Sequence, residues 1–367
     1  MTENVKGAAI VVGGAVAKGA FAAGALAYVT EKLQREKTPI RALVGTSSGA
    51  LNATKIANGV RMGEPVAAAS ELVELWLTKA RAWDIAKLDP LSAIRWGGVS
   101  GSEKLIQILE EACPLPPPDA GLQPVALRIV VTPLQGDKQP HTSFEHVERF
   151  RDAELEDAAS RKRMFEAAAA SAAFPFAFKP VRMSGLGPCL DGGIVNNTPI
   201  KEAIAHDPDI DRVFVILADP AKMRLSEEKA RSLAGLPLGL RLLEMLINER
   251  LFRDLDEARD VNAWLAALDR MVEQEKMSPG TRGEVIRALY HRDPSEFRHI
   301  DIIEIRPQEE LKGHPFKAFF DADLRAEYID LGRKAAERAW RLHEEADSRN
   351  VSGRGAPART TGSPRSG

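Results

Sequence analysis

Cysteine is nearly absent from this chain. There are two among 367 residues, Cys113 and Cys189, far apart and in no C-x-x-C pair. That excludes a disulfide framework and a cysteine-built zinc site, and two reduced, mostly buried thiols are expected instead. A charge excess is absent as well: 50 Lys and Arg stand against 52 Asp and Glu. The chain therefore lacks the basic surplus of a dedicated nucleic-acid binder, although a local basic patch that touches anionic lipid stays open. No charge-free apolar run is long enough to span a bilayer. The Ala-, Val- and Gly-rich stretch from Gly7 to Tyr28 mimics a signal peptide, but Lys18 interrupts its middle. A cytoplasmic protein that touches membrane reversibly, at the surface, is expected. No internal repeat is present.

What the chain does have is enough apolar residue, 44% against 28% charged, for one large domain or two small ones. Ala8 to Val12 is a β-branched run that stops at Gly13-Gly14, a buried strand entering a tight loop. Gly19 to Leu33 has helical spacing. Ile40 to Val44 predicts a second strand, and Gly49 to Ala57 the helix after it. This order begins an α/β fold with a parallel sheet. Further along, residues 64 to 112 read as helical around a loop at 89 to 101, and Val125 to Val131 as a strand. Ala167 to Ala173 reads as a short helix and Gly187 to Leu190 as a lead into Asp191. Thr198 is expected as an N-cap, with Pro199 at the first helical position. Val213 to Leu217 and Ile300 to Ile305 read as strands, Leu225 to Leu289 as mainly helical, and Leu324 to Ala346 as a closing helix. The polar tail from Asp347 is expected to stay disordered.

Three segments carry chemistry. Gly45-Thr46-Ser47-Ser48-Gly49 fits G-x-S-x-G. There a serine on a sharp strand-to-helix turn exposes its hydroxyl, the glycines allow close approach, and the helix N-terminus faces developing negative charge. A Gly/Ser turn that merely caps a helix has the same pattern. Gly13-Gly14-Ala15-Val16-Ala17-Lys18-Gly19 lacks the middle glycine of a dinucleotide fingerprint and the G-K-[ST] of a P-loop. An oxyanion loop serving Ser47 is the remaining functional reading. Lys18 either adds positive field there, steers anionic head groups, or is a solvated helix-start lysine. Asp191-Gly192-Gly193 is a carboxylate presented on a loop, or an ordinary Asp-Gly turn. The seven histidines all lie in polar or charged stretches and read as surface residues.

Together, and in this order, the three segments resemble the patatin-like phospholipase family. Cys189 to Ile200 (CLDGGIVNNTPI) is similar to that family's second catalytic segment, and Ala169 to Pro175 (AASAAFP) to the stretch before it. Phe21 to Leu26 is similar to the family's helix after the glycine loop. The likeness covers roughly residues 7 to 218. It implies a three-layer α/β/α fold with a mainly parallel central sheet plus helical insertions. It also implies a metal-free, cofactor-free Ser–Asp dyad that cleaves fatty-acyl esters. On that reading Ser47 is the nucleophile and Asp191 the general base. Main-chain N–H groups around Gly14 to Val16, with Ser48, hold the oxyanion. Asn196 and Asn197 brace the Asp191 loop. Many members carry three glycines in a row where Ala15 and Val16 stand here. The N–H donors survive that change, but Val resists positive φ, so another loop shape is open.

The resemblance frames residues 1–346 as one domain, with a motif-bearing core at about 7–218, a helical extension at about 221–346 and a tail at 347–367. The partner it implies is a lipid substrate, with no nucleic acid. Residues 76 to 96, with Trp76, Trp83 and Trp96, and residues 236 to 256 are candidate caps. Arg349, Arg354, Arg359 and Arg365 give the tail a basic character. The rival readings are an acyltransferase that uses the same dyad, a non-catalytic lipid-binding scaffold, and, more remotely, a nucleotide-binding α/β domain.

Overall fold

The run Gly7–Val12 is buried at every position, as a parallel strand covered on both faces must be. It forms β1, the central strand. The computed structural model describes residues 6–81, 102–117, 121–136, 143–175, 177–205, 207–221, 227–291 and 293–354. Within these, β1 pairs in parallel with β2 (Ile40–Thr46) on one side and β7 (Ile210–Ile216) on the other. The parallel run continues to β3 (Ala126–Pro133) beyond β2 and to β8 (Asp301–Ile305) beyond β7. Three antiparallel strands finish the β3 side: β4 (His146–Arg151), β5 (Val181–Met183) and β6 (Gly187–Asp191). The path is β5-β6-β3-β2-β1-β7-β8, with β4 also on β3.

The two-residue period of β1 assigns its side chains to opposite layers. Ala8, Ile10 and Val12 share a core with α1 (Gly19–Glu36), α2 (Ser48–Arg61), α3 (Pro65–Thr78), α4 (Glu103–Ala112), α5 (Ala158–Ser171) and α10 (Ala322–Arg354). Ala9 and Val11 pack on the other face with α6 (Ile200–Ile204) and with Leu255 of α8 (Gly235–Glu273). The fold is thus a mixed three-layer α/β/α sandwich. Its outer helices include α7 (Glu227–Ser232) and α9 (Pro279–Tyr290).

Residues after 218 complete both the sheet and its cover. Trp340 of α10 stacks on Phe214 of β7 with ring centroids 5.3 Å apart. Helices α1 and α10 cross through reciprocal glycines. A Cβ on Gly24 would strike the Ile329 carbonyl, and one on Gly332 the Phe21 carbonyl. Both obstacles are helix backbone, which cannot swing aside. Gly332→Ala is therefore expected to destabilise the fold by about 1–3 kcal/mol, as overpacking does. Thermal or urea unfolding of the variant against the parent checks this.

Several elements depart from expectation. Helix α5 begins at Ala158, not Ala167, because Asp157 caps it by accepting from Ser160 N–H at 2.9 Å; its charged first half hid the start. Strands β4 and β5 had no expected counterpart, being short and antiparallel at the sheet margin. Thr198 is not the N-cap: α6 starts at Ile200 with Pro199 in that position. Helix α10 runs to Arg354, eight residues past its expected end, since extending an existing helix adds a bond for each residue fixed. The tail beyond Arg354, with Arg359 and Arg365, lies outside the described residues, as do Trp83 and Trp96.

Candidate active site

The three chemical segments meet at the carboxyl ends of β1 and β2, the usual crevice position in an α/β sheet. Ser47 is the single residue between β2 and α2, at φ 55° and ψ −132°, a region sparsely populated by residues with side chains. Two bonds hold that strain: Ser47 N–H donates to Ser171 Oγ at 2.8 Å, and Ala50 N–H donates to the Ser47 carbonyl at 2.9 Å. Glycine is required just beyond the turn, because a Cβ on Gly49 would collide with the Val12 carbonyl. Gly45 abuts the Ala50 backbone in the same way.

Asp191 ends β6, paired with Val131 of β3. Its N–H donates to the Ala173 carbonyl at 3.1 Å, and its own carbonyl accepts from Thr132 Oγ1 at 2.8 Å. The carboxylate is divided between two donors. Oδ1 accepts from Gly193 N–H at 2.8 Å, and Oδ2 accepts from Ser47 Oγ at 2.5 Å. Gly192 packs on the Val130 carbonyl. Ser47 is 5% exposed and Asp191 2%. Burial pushes the Asp191 carboxyl up to about 7, against the downward pull of the bonds from Ser47 and Gly193. A carboxylate with that pKa suits proton transfer near neutral pH.

The glycine loop is anchored at both ends. Gly13 N–H donates to the Ile216 carbonyl at 3.0 Å. Asn197 grips Gly14 twice: its Oδ1 accepts from Gly14 N–H at 2.6 Å and its Nδ2 donates to the Gly14 carbonyl at 3.2 Å. Ala15 N–H donates to Ser48 Oγ at 3.1 Å. Val16 does adopt positive φ, 51°, so the loop keeps a shape its sequence resists. The Val16 and Ser48 N–H groups have no acceptor among the described residues, and both residues line the cavity beside Ser47.

Three expectations are corrected here. The Gly14 N–H is a structural bond to Asn197, not a donor turned toward Ser47. The Asn197 side chain braces the glycine loop, not the Asp191 loop. Asn196 does tie into the Asp191 loop, but through its backbone N–H, which donates to the Gly192 carbonyl at 3.0 Å, while its Nδ2 donates to Glu145 Oε1 at 2.9 Å. Lys18 is 3% exposed and outside the cavity lining, which removes both head-group steering and the solvated helix-start lysine. Gly19, whose carbonyl accepts from Asn52 Nδ2 at 3.0 Å, packs against Ser48 and Trp76.

Beside Ser47 opens an apolar cavity with an empty volume of about 830 Å³, part of it open to solvent. Leu51, Leu72, Leu75, Trp76, Leu105 and Leu109 supply much of its wall. Trp76 satisfies its indole N–H on Asn52 Oδ1 at 2.8 Å. No described histidine lines it, and the described residues hold no cluster of His, Cys, Asp and Glu arranged for a metal. Cys113 and Cys189 are free and buried, and burial pushes both thiols up to about 11.

The sequence reading missed Ser171. It is the one polar residue in the alanine run AAAASAA, which is the signal that exposes it. Replacing it by alanine orphans the buried Ser47 N–H. Ser171→Ala should cost about 1–3 kcal/mol of stability and lower turnover without changing KM, read by thermal unfolding and steady-state kinetics. Pro315 and Phe319 were missed too. The Ala17 N–H donates to the Pro315 carbonyl at 3.1 Å, and Phe319 lines the cavity.

A family model described as patatin-like phospholipase matches residues 10–204. No curated protein matches the chain. Among solved structures, VipD from Legionella pneumophila is 13% identical with a TM-score of 0.39, over 92% of this chain and 67% of VipD. Full-length SpcU in complex with full-length ExoU, from the type III secretion system of Pseudomonas aeruginosa, gives 12% identity and a TM-score of 0.30. That match covers 89% of this chain and 70% of the other.

Proposed function

Since the chain belongs to the patatin-like phospholipase family, and so among lipid hydrolases, we propose that it cleaves fatty-acyl esters of phospholipid, lysophospholipid or neutral lipid through Ser47 and Asp191. The observation that carries this reading is the 2.5 Å bond from Ser47 Oγ to Asp191 Oδ2 at a strained turn beside an apolar cavity.

Asp191 Oδ2 takes the hydroxyl proton as Ser47 Oγ bonds to the ester carbonyl carbon. The carbonyl π electrons move onto oxygen, and the Val16 and Ser48 N–H groups receive that charge, helped by the N-terminus of α2. The intermediate collapses and the carbon–oxygen bond to the leaving alcohol breaks. The alcohol takes the proton from Asp191, leaving an acyl-Ser47 ester. Water then gives its proton to Asp191 and attacks the acyl carbon. Ser47 recovers that proton, and the fatty acid leaves. Asn197 and Ser171 act as positioning residues, one on the glycine loop and the other on the serine turn.

We take residues 1–346 as one working domain, because β8 and α10 complete the sheet and core that the motifs occupy. No described helix is long and apolar enough to cross a membrane. Surface contact with a bilayer is supported by α8, where Leu238, Leu242, Met245 and Leu246 stand exposed at helical spacing. The test is fatty-acid release from phosphatidylcholine, lysophosphatidylcholine and triacylglycerol dispersions, with and without an added alcohol acceptor. Release of free acid supports the hydrolase. Ester formed only with the added alcohol makes it an acyltransferase, and neither product leaves a lipid-binding scaffold.

A further inference from the structure

Three helices supply much of the wall of the apolar cavity beyond Ser47, and the buried Lys55 is among its lining residues. On α2 the residues facing the cavity are Ser48, Leu51, Asn52 and Lys55, the spacing of one helix face. From Ser48 to Lys55 that face rises about 10 Å at 1.5 Å per residue. Lys55 is only 2% exposed. Its Nζ donates to Glu71 Oε2 on α3 at 2.5 Å and to the Ala112 carbonyl at the end of α4 at 2.6 Å. The ammonium therefore cross-links all three walls two helical turns from the serine. The Glu71 side chain is 64% exposed, so the ammonium closes the cavity where it nears the surface. A methyl terminus pushing past it would part the buried cation from both acceptors, which is disfavoured.

We propose that Lys55 is the floor of an acyl-chain site and selects medium-chain substrates. An extended chain that starts at Ser47 and stops at Lys55 has roughly eight to ten carbons, because a zigzag of carbon–carbon bonds near 1.5 Å advances about 1.25 Å per carbon along the 10 Å run of the helix face. The proposal rests on the reading of Ser47 as the acylated residue. A shallower obstacle on the same path shortens the chain, and half-buried Ile108 on α4, another lining residue, is the place for one.

The test is calorimetric binding of hexanoate, octanoate, decanoate, dodecanoate and palmitate to Ser47→Ala protein, below their micelle concentrations, so that no turnover is needed. Affinity should peak near decanoate, with palmitate at least about tenfold weaker. Adding Lys55→Met should move the peak to longer chains. Adding Ile108→Trp, which leaves the cross-link intact, should move it to shorter ones. Affinity that climbs unbroken to palmitate, a peak that neither variant moves, or no binding of any chain overturns the floor. Hydrolysis of the matching p-nitrophenyl esters by protein with Ser47 intact separates the two claims. A length optimum in binding without any hydrolysis removes the Ser47 reading and keeps the floor. Hydrolysis with flat binding does the reverse.

Discussion

Ser47→Ala is expected to lower ester hydrolysis by at least about 10⁴-fold, the scale seen when a nucleophile is removed from a preorganised hydrolase site, with the fold retained. Three features justify so large an effect. The hydroxyl is the one placed 2.5 Å from the carboxylate that would deprotonate it. It stands at φ 55°, a strain the turn keeps only because Ser171 and the Ala50 N–H fix it. It also opens onto the apolar cavity. Ser48, next door, cannot substitute, because the Asp191 carboxylate is bonded to Ser47 Oγ and Ser48 Oγ has only the Ala15 N–H, with no base to take its proton. Asp191→Asn should cost a comparable factor, because an amide cannot take the proton. Replacing His146 or His343 should leave the rate unchanged: His146 pairs with Glu148 and His343 with Asp301, and neither lines the cavity. Specific activity on a p-nitrophenyl ester, with circular dichroism to check folding, reads all four variants.

The second large effect falls on stability and has the opposite sign. Asp191 is wholly buried, and its pKa is raised from 3.8 to about 7. Below about pH 3.8 the group holds a proton in both folded and unfolded chains and favours neither. Between 3.8 and 7 the folded chain keeps a proton that the unfolded chain has released. The stability due to that proton therefore falls as pH rises, and it is gone above pH 7. An ionised Asp191 at pH 8 thus costs the fold up to roughly 4 kcal/mol, about three pK units at 1.4 kcal/mol each. Asp191→Asn removes that burden while keeping an oxygen for the Gly193 N–H. The inactive variant should melt several degrees above the parent at pH 8, with the gap closing toward pH 4. The same titration places the acid limb of kcat/KM near pH 7, with a rate about tenfold lower for each unit below it. Melting curves from pH 4 to pH 9 decide the matter, and a variant less stable than the parent at pH 8 contradicts it.

How far the sequence could be read depended on what each signal measures. Runs buried on both faces, such as Ala8 to Val12 and Val213 to Leu217, announce themselves, because parallel strands carry no polar face. Strands β4 and β5 do not, since they are short, marginal and set by pairing to β3 and β6. The serine turn and the Asp191 loop were legible because glycine marks close backbone approach. Asn197 was legible as a polar residue near the site but not in its role. Its bond to Gly14 spans 183 positions, and no local pattern encodes such a partner. Lys55 belongs to no motif in the sequence, and only the packing of α2 between α3 and α4 shows it buried. Pro315 and Phe319 reach the site from a segment with no motif, about 300 positions from the glycine loop that Pro315 holds.

The central claim is that Ser47 is an activated nucleophile. Intact-protein mass spectrometry after exposure to a fluorophosphonate tests it most directly, with wild type, Ser47→Ala and Asp191→Asn side by side. The account predicts one adduct on wild type, localised to Ser47 by peptide mapping, none on Ser47→Ala, and strongly slowed labelling of Asp191→Asn. Labelling that persists in Ser47→Ala, or a folded wild type that forms no adduct while hydrolysing ester, would contradict it.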